Sequence, residues 1–314
     1  MAIKDDHLPV VAIVGPTATG KSKLAVDLAL AVGGEVVNCD STAVYRGFDI
    51  GTDKLSIGDR RGVPHHLIDV VEPTSGYSAA RYAADAAVVI ADIVGRGCLP
   101  ILVGGSGLYY RALTRGFFPG PGRDEKLRAR LVAFASRRGV NALHRLVRRV
   151  DPDSAIRIQP RDEKRLIRAL EVYFLTGRPL TSHFANTRSP LSSYKVISFG
   201  LRLTPEEIAR RVACRVDEQF ERGLLDEIRQ ALRSGVPENA QPFGGLVYRQ
   251  GLECLHGVRN ESETRSLIAQ ENRRYARRQL IWFRKEPNLH WISLPGEHPD
   301  TLAVVLAELR PQLH

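Results

Sequence analysis

The eight residues Gly15–Ser22, GPTATGKS, constrain the fold of this chain more than any other stretch. They follow the apolar run PVVAIV and precede KLAVDLALAVGG, whose apolar residues recur at helical spacing and stop at two glycines. Strand, glycine-rich loop and helix in that order make a cradle in which backbone amides and the positive end of a helix face an anion. In the pattern G-x4-G-K-S, Gly15 and Gly20 let the backbone wrap closely around oxygens, and the amides of Thr19 to Ser22 aim at them. Lys21 adds a mobile cation and Ser22 can hold Mg2+. The open question is whether the phosphate held there is transferred or expelled.

The first 118 residues alternate between strand and helix patterns. Candidate strands are VVAIVG, EVVNCD, HLIDVV and LPILVGG, and the helices include Lys21 to Val32, Ser78 to Gly95 and Leu108 to Arg115. Strands separated by helices pair in parallel through right-handed crossovers, so the expected fold class is α/β, a P-loop-like parallel sheet flanked by helices. The stretch GFFPGPGRDEKLRARL breaks this alternation with three glycines and two prolines. From Asp124 to Thr176 only helical spacing follows, and KVISFGLRL then resembles a return to the sheet. The expected organisation is a core of residues 1–118 and 200–314 with a small all-helical domain, 119–199, inserted into it. Long helices are predicted over Pro205 to Leu232 and Glu263 to Lys285, with a short strand in LHWISL.

Charge distinguishes these segments. The chain carries a net charge of +10, and residues 119–200 hold 17 Lys and Arg against 7 Asp and Glu, whereas the flanking parts are balanced. Such an excess suits a surface that follows a polyanion backbone, or a soluble basic helical segment. Four separated cysteines, Cys39, Cys98, Cys214 and Cys254, contain no CxxC pair and imply neither a zinc site nor a disulfide framework. No apolar run reaches the roughly 18 residues of a membrane span, and MAIKDDHLPV lacks the pattern of a secretory signal, so a cytoplasmic protein without membrane contact is expected. Adjacent His65 and His66 lack a third ligand nearby and do not suggest a metal site.

A nucleotide hydrolase would usually add an apolar strand ending in Asp to fix its metal. Here LPILVGG runs instead into Gly104, Gly105 and Ser106, and the carboxylate appears as Asp40 at the end of EVVNCD. Asp40 is thereby expected near the same sheet edge as the loop, suited to metal or proton work, although an Asp after a strand also serves as a helix cap.

GPTATGKS, CDSTAVYRGFDIGTDK, GVPHHLIDVVEP, ILVGGSGLYYRAL and RLIRALEVYFLTGRPLT occur in one order, followed by RRVACRVDEQFERGLLDEI and YARRQLIWFRK. Together they resemble the bacterial tRNA dimethylallyltransferase family over roughly residues 9 to 292. The resemblance implies that the loop holds the diphosphate of dimethylallyl diphosphate as a leaving group, and that the acceptor is N6 of the adenine immediately 3′ of the anticodon in a tRNA stem-loop. It implies Mg2+ as cofactor, diphosphate contacts from Gly15, Pro16, Thr17, Ala18, Thr19, Gly20, Lys21 and Ser22, and a clamp from Arg211 or Arg215. Asp40 matches the family's general base, with Thr17, Lys21 and Ser106 beside the reacting centre. Family-matched tRNA contacts fall on Asp40, Ser41, Thr42, Ala43 and Ser106 in the core. In the basic insert they fall on Arg128, Lys164, Arg165, Leu166, Ile167 and Arg168, and late in the chain on Gly244, Gly245, Leu246, Val247, Tyr248 and Arg249. A monomer is expected.

Two positions depart from the family pattern. Val247 stands where a glycine is usual before Tyr-Arg, and since a β-branched residue avoids positive φ, the turn is expected to shift toward Gly244 and Gly245. Ala43 replaces a common Gln. Late in the chain Arg273, Arg277 and Arg284 share one helix face, beside Arg274, Arg278 and Lys285, a stripe suited to phosphates or to solvent; Trp282 and Phe283 are expected in the core. Three other functions fit parts of the chain: prenylation of free adenine nucleotides, a small-molecule kinase suggested by the loop alone, and a non-catalytic RNA-binding protein.

Overall fold

A computed structural model describes residues 8–118 and 120–312. The chain divides into two compact units, one of residues 1–114 and 190–314 and the other of residues 115–189.

The first unit is built on a six-stranded parallel sheet: β1 (Leu8–Val14), β2 (Gly34–Asn38), β3 (His65–His66), β4 (Leu99–Gly104), β5 (Tyr194–Leu201) and β6 (Leu289–Ile292), in the order β3-β2-β4-β1-β5-β6. β1 is central and apolar on both faces. Val10, Ala12 and Val14 join one core cluster, and Val11 and Ile13 join the other, as the two-residue period of a strand dictates. The second face is covered by α1 (Lys21–Val32) and α12 (Pro299–Leu309). The first face carries α2 (Ala79–Gly95), α3 (Gly107–Arg115), α8 (Pro205–Glu221), α9 (Leu224–Arg233), α10 (Leu246–Leu255) and α11 (Glu261–Phe283).

The second unit packs α4 (Glu125–Arg138), α5 (Val140–Val150), α6 (Pro152–Arg157) and α7 (Glu163–Thr176) around Leu131, Leu143, Val147, Leu166 and Leu170. Within this unit Glu171 is fully buried and hydrogen-bonded by Arg128 Nε at 2.8 Å, Arg168 Nη1 at 2.8 Å and the Asp124 amide at 2.9 Å. Burial alone raises its pKa, but the two guanidiniums outweigh that and hold it at about 2.

Three expectations are corrected. Of HLIDVV only His66 lies in a strand, the two-residue β3, because Leu67 (φ 61°) and Asp69 (φ 57°) turn left-handed and the chain leaves the sheet. Its continuation pairs with the loop after β2, where the Val70 and Val71 amides donate to the Val44 carbonyl. The predicted helix Pro205 to Leu232 is two helices, parted at Gly223, whose φ of 89° no L-residue adopts at low cost. The return to the sheet comes at Tyr194, inside the stretch expected to be insert, because Tyr194–Leu201 pairs along β1 from Leu8 to Val14. Among the described residues no helix is long and apolar enough to cross a membrane.

Candidate functional site

Three chain segments leave the carboxyl ends of neighbouring strands β2, β4 and β1 and meet at one edge of the sheet, where ligands of parallel sheets bind. After β1 comes the loop Gly15–Ser22. Gly15 has φ 136°, and a Cβ there would strike the carbonyl of Leu201 on β5, so only glycine lets the loop start this close to the sheet. Lys21 opens α1, and its Nζ donates to the Pro16 carbonyl at 2.5 Å, curling back over the loop. Burial, with repulsion from Arg215 only partly offset by Asp40, lowers the Lys21 pKa to about 7.

After β2 comes Asp40, half-buried, whose Oδ1 accepts from the Thr42 amide at 2.9 Å and the Thr42 hydroxyl at 2.6 Å. No helix follows, so Asp40 caps an Asx turn and not a helix. Among the described residues its Oδ2 has no hydrogen-bond partner. After β4 comes buried Ser106. Its Oγ accepts from the Ser41 amide at 2.9 Å and lies 3.1 Å from the Ser41 hydroxyl.

These segments line one cavity of about 820 Å³, whose wall includes Thr17 to Lys23, Asp40, Thr42 and Ala43. From α8, Arg215 Nη1 donates to Thr17 Oγ1 at 2.7 Å and pairs with Asp53 at 3.2 Å. Arg211, one turn earlier, is tied instead to Glu207 and Glu297 and does not line the cavity. Gly245, Leu246, Val247 and Tyr248 line its far side. The shift expected at Val247 does not occur: neither it nor Gly244 or Gly245 has positive φ, because 241–244 form a 3-10 turn and Val247 lies in the first turn of α10. The buried Tyr248 hydroxyl donates to Glu227 at 2.6 Å and accepts from the Gly51 amide at 3.0 Å, holding α10, α9 and the loop after β2 together.

Several lining residues lie within the quoted motifs, yet the motifs give no role to them. Gln279 of α11, buried, accepts from the Thr17 amide at 2.9 Å and donates to the Gly105 carbonyl at 2.9 Å. It thereby bolts the phosphate loop to the turn that carries Ser106. Asp53, at φ 52°, is held by Arg215 and by Gln219 at 3.0 Å; burial raises its pKa against the pull of Arg215. Buried Lys54 is spent on the Tyr45 carbonyl at 2.5 Å and on Asp49 and Asp69 at 2.7 and 2.5 Å, so it fixes the loop and offers no charge to a ligand.

The remaining predicted contacts lie elsewhere. Arg249 pairs with Glu271 at 3.1 Å on the rim of a second cavity. In the helical unit Lys164 and Arg165 are exposed, Arg128 and Arg168 are committed to Glu171, and the side chains of Leu166 and Ile167 are core, closed to RNA by their burial. Phe283 is buried and Trp282 is half-buried under the guanidinium of Arg111, 4.4 Å from its ring. His66 pairs with Glu35 at 2.6 Å, and no group of three or more His, Cys, Asp or Glu among the described residues could hold a metal.

Comparison with known proteins agrees with this architecture. The family model described as IPP transferase matches residues 43–286. The tRNA dimethylallyltransferase of Solibacter usitatus is 46% identical over 93% of this chain and 95% of its own length, and that of Geobacter metallireducens 42% identical over 96% and 98%. The full-length tRNA isopentenylpyrophosphate transferase of Bacillus halodurans superposes with a TM-score of 0.72 at 37% identity, over 98% of this chain and 97% of that one. A eukaryotic dimethylallyltransferase acting on tRNA gives a TM-score of 0.78 at 25% identity, over 97% of this chain and 80% of that one. The chain belongs to the IPP transferase family.

Proposed function

We propose that this enzyme transfers the dimethylallyl group of dimethylallyl diphosphate to N6 of the adenine immediately 3′ of the anticodon in tRNA and releases diphosphate. The observation that carries the reading is the convergence of an anion loop and a carboxylate with an open oxygen in one cavity, without a carboxylate at the end of β4. Breaking the allylic C–O bond builds charge on diphosphate, and Lys21, Arg215 and the remaining loop amides, which line the same cavity, are the donors that would meet it. The N6 lone pair forms the new N–C bond as the C–O bond breaks. Asp40 takes the N6 proton, for which its Oδ2 is available. A base in a stem-loop reaches a buried centre only when swung out of its stack. The basic helical insert, residues 115–189, is assigned the grip on the anticodon stem.

The donor set suits Mg2+: Ser22 on the cavity wall and the diphosphate supply oxygens only, the arrangement of an ion that keeps its waters and binds substrate phosphates. When bound, the ion neutralises charge on the leaving group.

The test offers labelled dimethylallyl diphosphate with Mg2+ to an anticodon stem-loop carrying adenine 3′ of the anticodon, to the same loop with guanine there, and to AMP. Label in the adenine loop alone is expected. Label in AMP alone would assign the enzyme to free nucleotides, and ATP turnover without label would make it a kinase.

A further inference from the structure

A second cavity of about 330 Å³ shares the walls Leu246 and Tyr275 with the first, and its rim carries Arg249, Arg274 and Arg278. Its one carboxylate, Glu271, is engaged by Arg249 at 3.1 Å and by Gln250 at 3.2 Å. The other two cations are uncommitted: among the described residues Arg274 and Arg278 form no ion pair, although Arg265 on the same helix binds Asp217 and Glu261. Arg278 lies 5.6 Å from the centre of the Tyr275 ring, so the aromatic wall common to both cavities also orients this guanidinium.

We propose, resting on the function above, that this second cavity binds the backbone phosphodiester next to the adenosine whose base enters the first cavity. A nucleotide with its base in the larger cavity must carry its sugar and phosphate out past a wall. The wall at Leu246 and Tyr275 opens onto the guanidiniums of Arg249, Arg274 and Arg278. Arginine forks match phosphate oxygens in pairs, and they fix the register of a strand without reading its bases. Tyr275 separates the two compartments, base on one side and phosphodiester on the other. Arg274 and Arg278 are thus positioning residues that set which nucleotide is presented to Asp40.

The test uses the full chain and adenine stem-loops in which a single neutral methylphosphonate replaces the linkage 5′ or 3′ of the target adenosine. One of the two replacements is expected to raise KM for the loop about tenfold. Arg274→Gln and Arg278→Gln, both at exposed positions, are expected to raise KM for the ordinary loop by a similar factor. They should also erase the penalty of that same methylphosphonate, while KM for dimethylallyl diphosphate stays near its wild-type value. Penalties that simply multiply, at both linkages and in both variants, would overturn the proposal, as would an unchanged KM. Failure of the wild-type enzyme to label even the unmodified loop would instead remove the functional reading, and with it the occupant assigned here.

Discussion

Lys21 rests on the carbonyl of Pro16 with a pKa near neutrality, so the free enzyme holds this cation only partly charged at pH 7. A diphosphate favours the charged form and lifts the pKa in the complex. Binding of dimethylallyl diphosphate above pH 7 is therefore coupled to proton uptake, and Kd rises up to about tenfold per pH unit until the raised pKa is passed. Calorimetry at pH 8 in two buffers of different ionisation enthalpy should show uptake approaching one proton, lost in Lys21→Met; zero uptake in the wild type would refute the coupling. Asp40 makes a different prediction, because one oxygen is spent on Thr42 and the other, free of hydrogen bonds among the described residues, is the proposed proton acceptor. Asp40→Asn keeps the turn and should lower kcat by about 10² to 10⁴, with stem-loop affinity within about twofold of wild type. Normal turnover would exclude Asp40 as the base.

Elements meet at the site through pairings that no local pattern encodes. Gln279 reaches the Thr17 amide from 262 residues away, and it occupies a donor that the loop would otherwise offer to phosphate. Gln279→Met keeps the volume but frees the loop from the Ser106 turn. It should cut transfer to the stem-loop about tenfold or more while raising the share of donor hydrolysed to dimethylallyl alcohol; an unchanged ratio of alcohol to product would leave Gln279 a packing residue. The elements with strong local signals were legible in the residues themselves. β1 and β4 are unbroken apolar runs stopped by glycine, and α1 is bracketed by glycines. β3 was not legible, because HLIDVV has strand composition but needs left-handed turns at Leu67 and Asp69 to reach the loop after β2. The break at Gly223 was hidden by helical spacing on both sides. The motifs assign roles to the loop, Asp40 and Arg215, whereas Asp53, Lys54 and Gln279, which lie in the same quoted stretches, act through pairings visible only once the chain is folded. The second unit has its own vulnerability. Glu171, at a pKa of about 2, contributes stability that is full above its unfolded value of 4.5 and is lost as pH falls toward 2. The shift corresponds to about 3 kcal/mol, and Glu171→Gln should cost a similar amount by stranding Arg128 and Arg168. Proteolysis between residues 115 and 189 at pH 7 should accelerate in that variant; an unchanged rate would show the pair to be dispensable.

Across the whole molecule, cations are paired in some places and unpaired in others. Exposed Arg145, Arg148 and Arg149 on α5 have no carboxylate partner among the described residues, and neither do Arg273, Arg274, Arg277 and Arg278 on α11. Unpaired guanidiniums release counterions when they meet phosphates, so tRNA affinity should fall steeply with salt. Replacing Arg145, Arg148 and Arg149 by Gln should flatten the log–log slope by up to about one for each phosphate that is no longer neutralised. A slope identical to wild type would place the grip elsewhere. The two ends of the insert lie against each other. A Cβ at Gly116 would collide with the Arg188 carbonyl, so the outgoing and returning chains touch where they leave and rejoin the core. Topologically the insert is a cassette whose two ends meet. Removing it requires bridging only a short gap, so under the proposed function natural or engineered exchange of that cassette would change which nucleic acid is gripped without altering the register of the core sheet.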